Sequence, residues 1–192
     1  MTDNNNGNTN ANNDTTNAAP DTCPICKNHG MYLDDQWTEQ FCGCLVGASI
    51  YRKYMDGYAE AHGFRKPKLF FNLSNHPLSS WSHEQLDAAQ ELGLGQLELI
   101  NYKMPMVDPS ASAEEAMSLA RDIAAKVVGA GGRGAFVAGE FSLTVALVAA
   151  LRACGVRCFT ATTSREVVET TAPDGAVVKI SVFRFVRWRE YI

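Results

Sequence analysis

Four cysteines near the amino terminus carry the plainest chemistry in the chain: Cys23-x2-Cys26, fifteen intervening residues, then Cys42-x-Cys44. Two thiol pairs on tight turns are how a short segment closes a tetrahedral sulfur shell around zinc. With four sulfurs and no open position the site would be structural. Metal binding would supply much of the folding free energy of a unit of about forty residues with few large apolar side chains. An iron–sulfur site, free thiols, and a shell in which His29 replaces one cysteine are the alternatives, because the second pair has one intervening residue instead of two. The expected role of the unit is an adapter for a protein or nucleic acid partner. Cys154 and Cys158 flank Gly155 and are expected as small buried hydrophobes, not nucleophiles.

Three hydroxyl-rich segments hold the other reactive side chains. Ser74-Asn75-His76-Pro77-Leu78-Ser79-Ser80-Trp81-Ser82 combines hydroxyls, an amide, an imidazole and an indole. Ser74 and Asn75 suit phosphate or ribose oxygens, and His76 suits proton transfer near neutral pH. Trp81 and Ser82 are expected to pack on the sheet and to cap a helix. In Gly139-Glu140-Phe141-Ser142-Leu143-Thr144, a glycine and two hydroxyls precede an apolar helix, which makes an anion site from oriented N–H groups. Glu140 would repel phosphate there unless it accepts ribose hydroxyls, acts as a base, or caps the helix. In Thr160-Ala161-Thr162-Thr163-Ser164-Arg165-Glu166, hydroxyls surround one arginine, so Thr163 and Arg165 suit an oxyanion or a ribose edge. If these segments meet at one sheet end, a phosphate-bearing ligand is expected among them.

Other patterns are decoys. Gly129-Ala130-Gly131-Gly132-Arg133-Gly134 matches G-x-G-x-x-G by letter, but it lies between a helix and a strand, the reverse of the order that dinucleotide binding requires. It is expected as a flexible loop. His83-Glu84 has Asp87 where a zinc-protease helix needs its second histidine. No Walker-type lysine loop, G-x-S-x-G elbow or kinase signature is present. Asn72-Leu73-Ser74 is a glycosylation sequon by letter, placed at the end of a strand.

The elements that position these residues follow from periodicity and caps. Residues 1 to 20 contain eight Asn and no large apolar side chain beyond Met1, so a disordered tail is expected. Residues 21 to 66 form the cysteine unit and an amphipathic helix from Val46 to about His62, with Pro67 as the boundary. Lys68 to Leu73 predicts a strand, Ser82 with Gln85 a capping box and helix to about Leu92, and Gln96 to Tyr102 a second strand. Ser112 with Glu115 opens a helix ending near Gly129, Gly134 to Ala138 predicts a third strand, Leu143 to Cys154 a helix, and Val156 to Ala161 a fourth strand. Val167 to Thr171 and Val177 to Arg189 predict a hairpin turning at Pro173, Asp174 and Gly175. The sum is an α/β fold over residues 67 to 192: a Rossmann-like, mostly parallel sheet with helices on both faces and a C-terminal hairpin.

Composition narrows the setting. Seventeen Lys plus Arg against 21 Asp plus Glu give a net charge of −4, so no global basic field recruits long nucleic acid. No apolar run approaches the ~18 residues of a membrane span, and the first thirty residues hold no secretory pattern. A cytoplasmic address and reduced thiols are expected. The last strand, Phe183 to Tyr191, interleaves cations with aromatics, which suits a charge-protected edge, a dimer seam or a nucleic acid platform.

The order of elements, the loop Asn72-Leu73-Ser74-Asn75-His76, the Gly139 to Thr144 turn and the terminal hairpin resemble the CRISPR-associated Rossmann fold family, whose small stand-alone members include ring nucleases of antiviral defence. The resemblance covers about residues 67 to 192; the cysteine unit is no part of it. It implies a homodimer that binds a cyclic oligoadenylate. It also implies cleavage without metal by 2'-hydroxyl attack, with Ser74, Asn75, His76, Ser142, Thr144 and Arg165 around the phosphate and His76 or Glu140 as acid–base residues. The alternative is a non-catalytic, zinc-containing adapter or nucleic-acid-binding module.

Overall fold

A computed structural model describes residues 22–64, 68–171 and 177–192. The Asn-rich tail, Pro67 and the Pro173–Gly175 turn lie outside the described residues. Two short antiparallel strands, β1 (Met31–Leu33) and β2 (Glu39–Phe41), lead into helix α1 (Leu45–Ala61). There follow β3 (Lys68–Ser74), a 3-10 turn at Leu78–Ser80, α2 (His83–Gln90), β4 (Leu97–Lys103), α3 (Ala113–Gly129), β5 (Gly132–Val137), α4 (Phe141–Ala153), β6 (Arg157–Thr171) and β7 (Val177–Glu190). The main sheet has the order β4-β3-β5-β6-β7, parallel except for β7, which runs antiparallel to β6. The expected α/β class is therefore the observed one, with the cysteine unit and α1 ahead of it. None of the described helices is long and apolar enough to cross a membrane.

The pleat of the strands sorts the core into two layers. Phe71, Leu73, Ala135, Val137 and Cys158 meet α3 and α4 on one face. Phe70, Phe136, Phe159 and Trp188 meet Trp81 and Ala89 of the α2 side on the other. Successive strand residues point to opposite faces, so a run such as Leu69-Phe70-Phe71 serves both layers. Ala120, Ala124 and Leu147 are almost wholly buried; small residues on α3 let it lie close to α4. Both expected capping boxes form, Ser82 with Gln85 and Ser112 with Glu115, each typically worth about 1 kcal/mol.

The boundary drawn at Pro67 divides the sequence, but α1 packs against α3. Arg52 of α1 is nine-tenths buried and donates to the Cys154 carbonyl at 2.7 Å and the Gly132 carbonyl at 3.4 Å. Asp56, one turn on, pairs with Arg133 at 2.6 Å.

Two expected loops are corrected. Thr160 to Glu166 continues β6 to Thr171, each residue paired with β7 across one register shift between Thr162 and Thr163. Threonine is β-branched and suits a pleated strand, and the distant partner strand decides between loop and ladder. The glycine run between α3 and β5 is a tight connection, not a flexible loop: α3 ends at Gly129, Gly131 takes φ 92°, and β5 starts at Gly132.

Candidate metal centre and switch-point cleft

The first thiol pair sits on a turn closed by Lys27 N–H donating to the Cys23 carbonyl at 2.9 Å and His29 N–H to the Cys26 carbonyl at 2.8 Å. Lys27 and Asn28 adopt left-handed φ of 50° and 67°, and the Asn28 side-chain Oδ1 accepts from the Cys23 N–H at 2.9 Å. The β1–β2 hairpin then carries the chain back, and Cys42 N–H bonds the Gly30 carbonyl at 2.8 Å. Cys44 is the N-cap of α1, its sulfur accepting from Gly47 N–H at 3.5 Å.

This local folding brings the four Sγ atoms within 4.8 Å of one another, with Cys23 to Cys42 at 3.7 Å and Cys26 to Cys44 at 3.5 Å. A tetrahedron of sulfurs ~2.3 Å from a central ion has an edge of about 3.8 Å. The cage thus has the size for one ion, and it is too tight for a cluster with inorganic atoms between its cysteines. His29 is exposed and no member of the group. Burial pushes the Cys44 thiol up to about 12 and also raises Cys42, while the Cys26 N–H draws Cys23 down to about 7. At Cys42 and Cys44 burial thus favours the protonated thiol unless a cation replaces the proton. All six cysteines are free. Burial raises Cys158 to about 12 as well, in keeping with an inert core thiol.

The second site lies at the carboxyl ends of the parallel strands, where the strand order reverses between β3 and β5. Asn75, Met104, Pro105, Met106, Val107, Gly139, Glu140 and Leu143 line a cleft of about 200 Å³. Glu140 is the N-cap of α4, accepting from Ser142 N–H at 2.9 Å, Leu143 N–H at 2.8 Å and the Ser142 hydroxyl at 2.6 Å. The Ser142 hydroxyl and these N–H groups hold its carboxyl below the ordinary glutamate value. The donors expected to meet an anion at this helix end are therefore taken by the chain's own carboxylate. Thr144, on the next turn, is buried, and its hydroxyl has no hydrogen-bond partner among the described residues.

The loop after β3 is knotted from beneath. Asn72 is fully buried and donates to the His76 carbonyl at 2.6 Å and to Asn101 Oδ1 at 2.8 Å. Ser74 is buried too; its hydroxyl donates to Asn72 Oδ1 at 2.7 Å and accepts from His76 N–H at 3.1 Å. Trp81 Nε1 adds a further donor to the His76 carbonyl at 3.4 Å. Ser74, expected as a ligand group, is engaged in holding the loop. Trp81 packs in the core and Ser82 caps α2, as expected. The His76 side chain is exposed beside Asn75.

Asn75 and Glu140 meet at the cleft, with Ser142 bonded to Glu140. Thr163 and Arg165 do not line it. They lie on the exposed outer part of β6, where Arg165 donates to the Ser181 hydroxyl at 3.0 and 2.8 Å. The Met104–Val107 wall was missed by the sequence reading. Its signal was position, since the segment directly follows a strand beside the switch point. A larger hollow of about 1030 Å³ opens at the other end of the sheet, beside Arg52, Asp56 and Arg133. Those charges are already engaged, Arg133 with Asp56 and Arg52 with backbone carbonyls, and it lies away from the strand ends that hold ligands in such folds.

Residues 68–189 match the model of a family described as "Uncharacterized protein MJ1673 family". No curated protein and no solved structure matches the chain. The cysteine quartet lies ahead of the matched stretch.

Proposed function

Because the chain belongs to the MJ1673 family through its α/β body, with the sulfur cage outside that shared part, we propose a non-catalytic, zinc-containing binding protein in which the metal unit serves as an adapter. The observation that carries this reading is the cage itself: four thiols at single-ion spacing, with no position left for a substrate. Cys23, Cys26, Cys42 and Cys44 would hold the ion, whose contribution is folding free energy for a unit with little core of its own. Ile25, Leu33 and Trp37 beside the cage are more than half exposed, a surface that suits a partner protein. Elemental analysis of protein purified without added metal tests the reading: one zinc per chain is expected, and Cys42→Ser should lose it together with the order of β1, β2 and the start of α1. Stoichiometric absence of zinc, or an unchanged fold in Cys42→Ser, overturns it.

The position of the cleft favours a second, compatible reading, that the body binds a nucleotide-type ligand. A carboxylate and an amide at a switch point suit ribose hydroxyls, and the Glu140 charge directs phosphate elsewhere. The ring nuclease version needs His76 as its acid–base group, because the Glu140 carboxylate is committed to capping α4. Titration with adenosine nucleotides and cyclic oligoadenylates in EDTA separates the versions. Resonance shifts at Asn75, Met106 and Gly139 without linear product support binding alone. Linear product lost in His76→Ala supports cleavage, and neither result removes the nucleotide reading while leaving the zinc reading intact.

A further inference from the structure

β6 and β7 leave the body as a bare two-stranded ribbon. β5 pairs with β6 only at Arg157–Phe159, whereas β6 continues against β7 from Thr163–Phe185 to Thr171–Val177. Thr163–Thr171 is exposed throughout, so the edge of β6 that β5 covers near the body is open beyond it. A two-stranded hairpin is marginal in water by itself. Exposed edges are commonly blunted by proline, a bulge or a covering element. The stretch has no proline, and the one irregularity lies at its base, between Thr162 and Thr163.

The residues along this edge are complementary to their own reversal. With a two-fold axis at Val167, antiparallel pairing sets Val167 against Val167 of a second copy, Arg165 against Glu169, Ser164 against Thr170 and Thr163 against Thr171. Opposite charges, paired hydroxyl residues and matched β-branched residues are the cross-strand pairs that stabilise antiparallel sheets. Glu166 falls against Val168, the one indifferent match. Within the chain Arg165 meets only the Ser181 hydroxyl among its described contacts, while Glu169 reaches Lys179 at 3.0 Å. Arg165, Val167 and Glu169 lie on the same face of β6 by alternation. The β7 strand is less self-complementary: Lys179, Arg184, Arg187 and Arg189 share it with one carboxylate, Glu190.

We propose that two copies of this chain join by antiparallel pairing of β6 with β6 about a two-fold axis at Val167, giving a continuous four-stranded arm β7-β6-β6-β7. This rests on the ribbon and stands apart from the readings of the metal and the cleft. The pairing adds about nine backbone hydrogen bonds and removes two bare edges at once.

Sedimentation of the full, metal-loaded chain tests it. A dimer is expected at micromolar concentration, and Arg165→Glu and Glu169→Arg should each weaken it at least about tenfold, since symmetry places every altered contact twice. An equimolar mixture of the two variants should restore the dimer as a heterodimer, because each introduced charge then faces its opposite. Val167→Cys should give a disulfide-linked dimer under mild oxidation, directly opposed Cα atoms lying within disulfide reach. Circular dichroism checks that the variants fold. A wild-type monomer at about 100 µM, single reversals without effect, or a mixture that stays monomeric each overturns the proposal.

Discussion

At Asn72 one buried amide satisfies the His76 carbonyl and Asn101 Oδ1 together, and takes the Ser74 hydroxyl in return. Asn72→Ala removes all three bonds and leaves the His76 carbonyl with only the longer Ser74 hydroxyl and Trp81 Nε1 contacts, so urea unfolding should show a loss of about 1–3 kcal/mol. The sequence offered a sign of this, an amide inside the apolar run Phe70-Phe71-Asn72-Leu73, although the same letters also spell a sequon. Glu140 gives a pH prediction. Its folded carboxyl is held below the ordinary value of 4.5, so its capping contribution is present above that value and disappears as pH falls through the folded one. Glu140→Gln should therefore flatten the acid limb of the stability curve below the ordinary value of 4.5, read by thermal melts across pH. Trp37, 82% exposed, should be replaceable by alanine at a cost below about 0.5 kcal/mol with metal content unchanged. The four cysteines were legible because ligand spacing is local; the burial of Ser74 was not, because it depends on where β4 and Trp81 come to rest.

Among the elements, those whose ends are set by neighbouring residues were readable. The two capping boxes start α2 and α3 where Ser82 and Ser112 predict. The length of β6 is hidden in the sequence because Thr160 to Glu166 has the hydroxyls of a loop and the branching of a strand, and only the pairing with β7 resolves it. Arg52 carried no signal at all. On an amphipathic helix it resembles any solvated arginine, and its acceptors lie 80 and 102 positions away. Arg52→Met keeps the side chain's bulk and removes the two donors. Hydrogen exchange in α1 should then quicken, with a loss of about 1–3 kcal/mol from the stranded carbonyls.

For the molecule as a whole, the cage and the body are not independent weights on one string. Any side chain at Gly47 would run into the Cys42 carbonyl, so the first turn of α1 lies flush against the cysteine loop. Arg52 grips the opening of β5 and the close of α4 from the same helix. If the quartet holds an ion as proposed, stripping it should therefore be audible at a distance: amide exchange around Gly132 and Cys154 should accelerate, though neither residue belongs to the quartet. Conversely, whatever stiffens the body would slow the escape of the ion, making the rate of metal loss a remote gauge of what the sheet is doing.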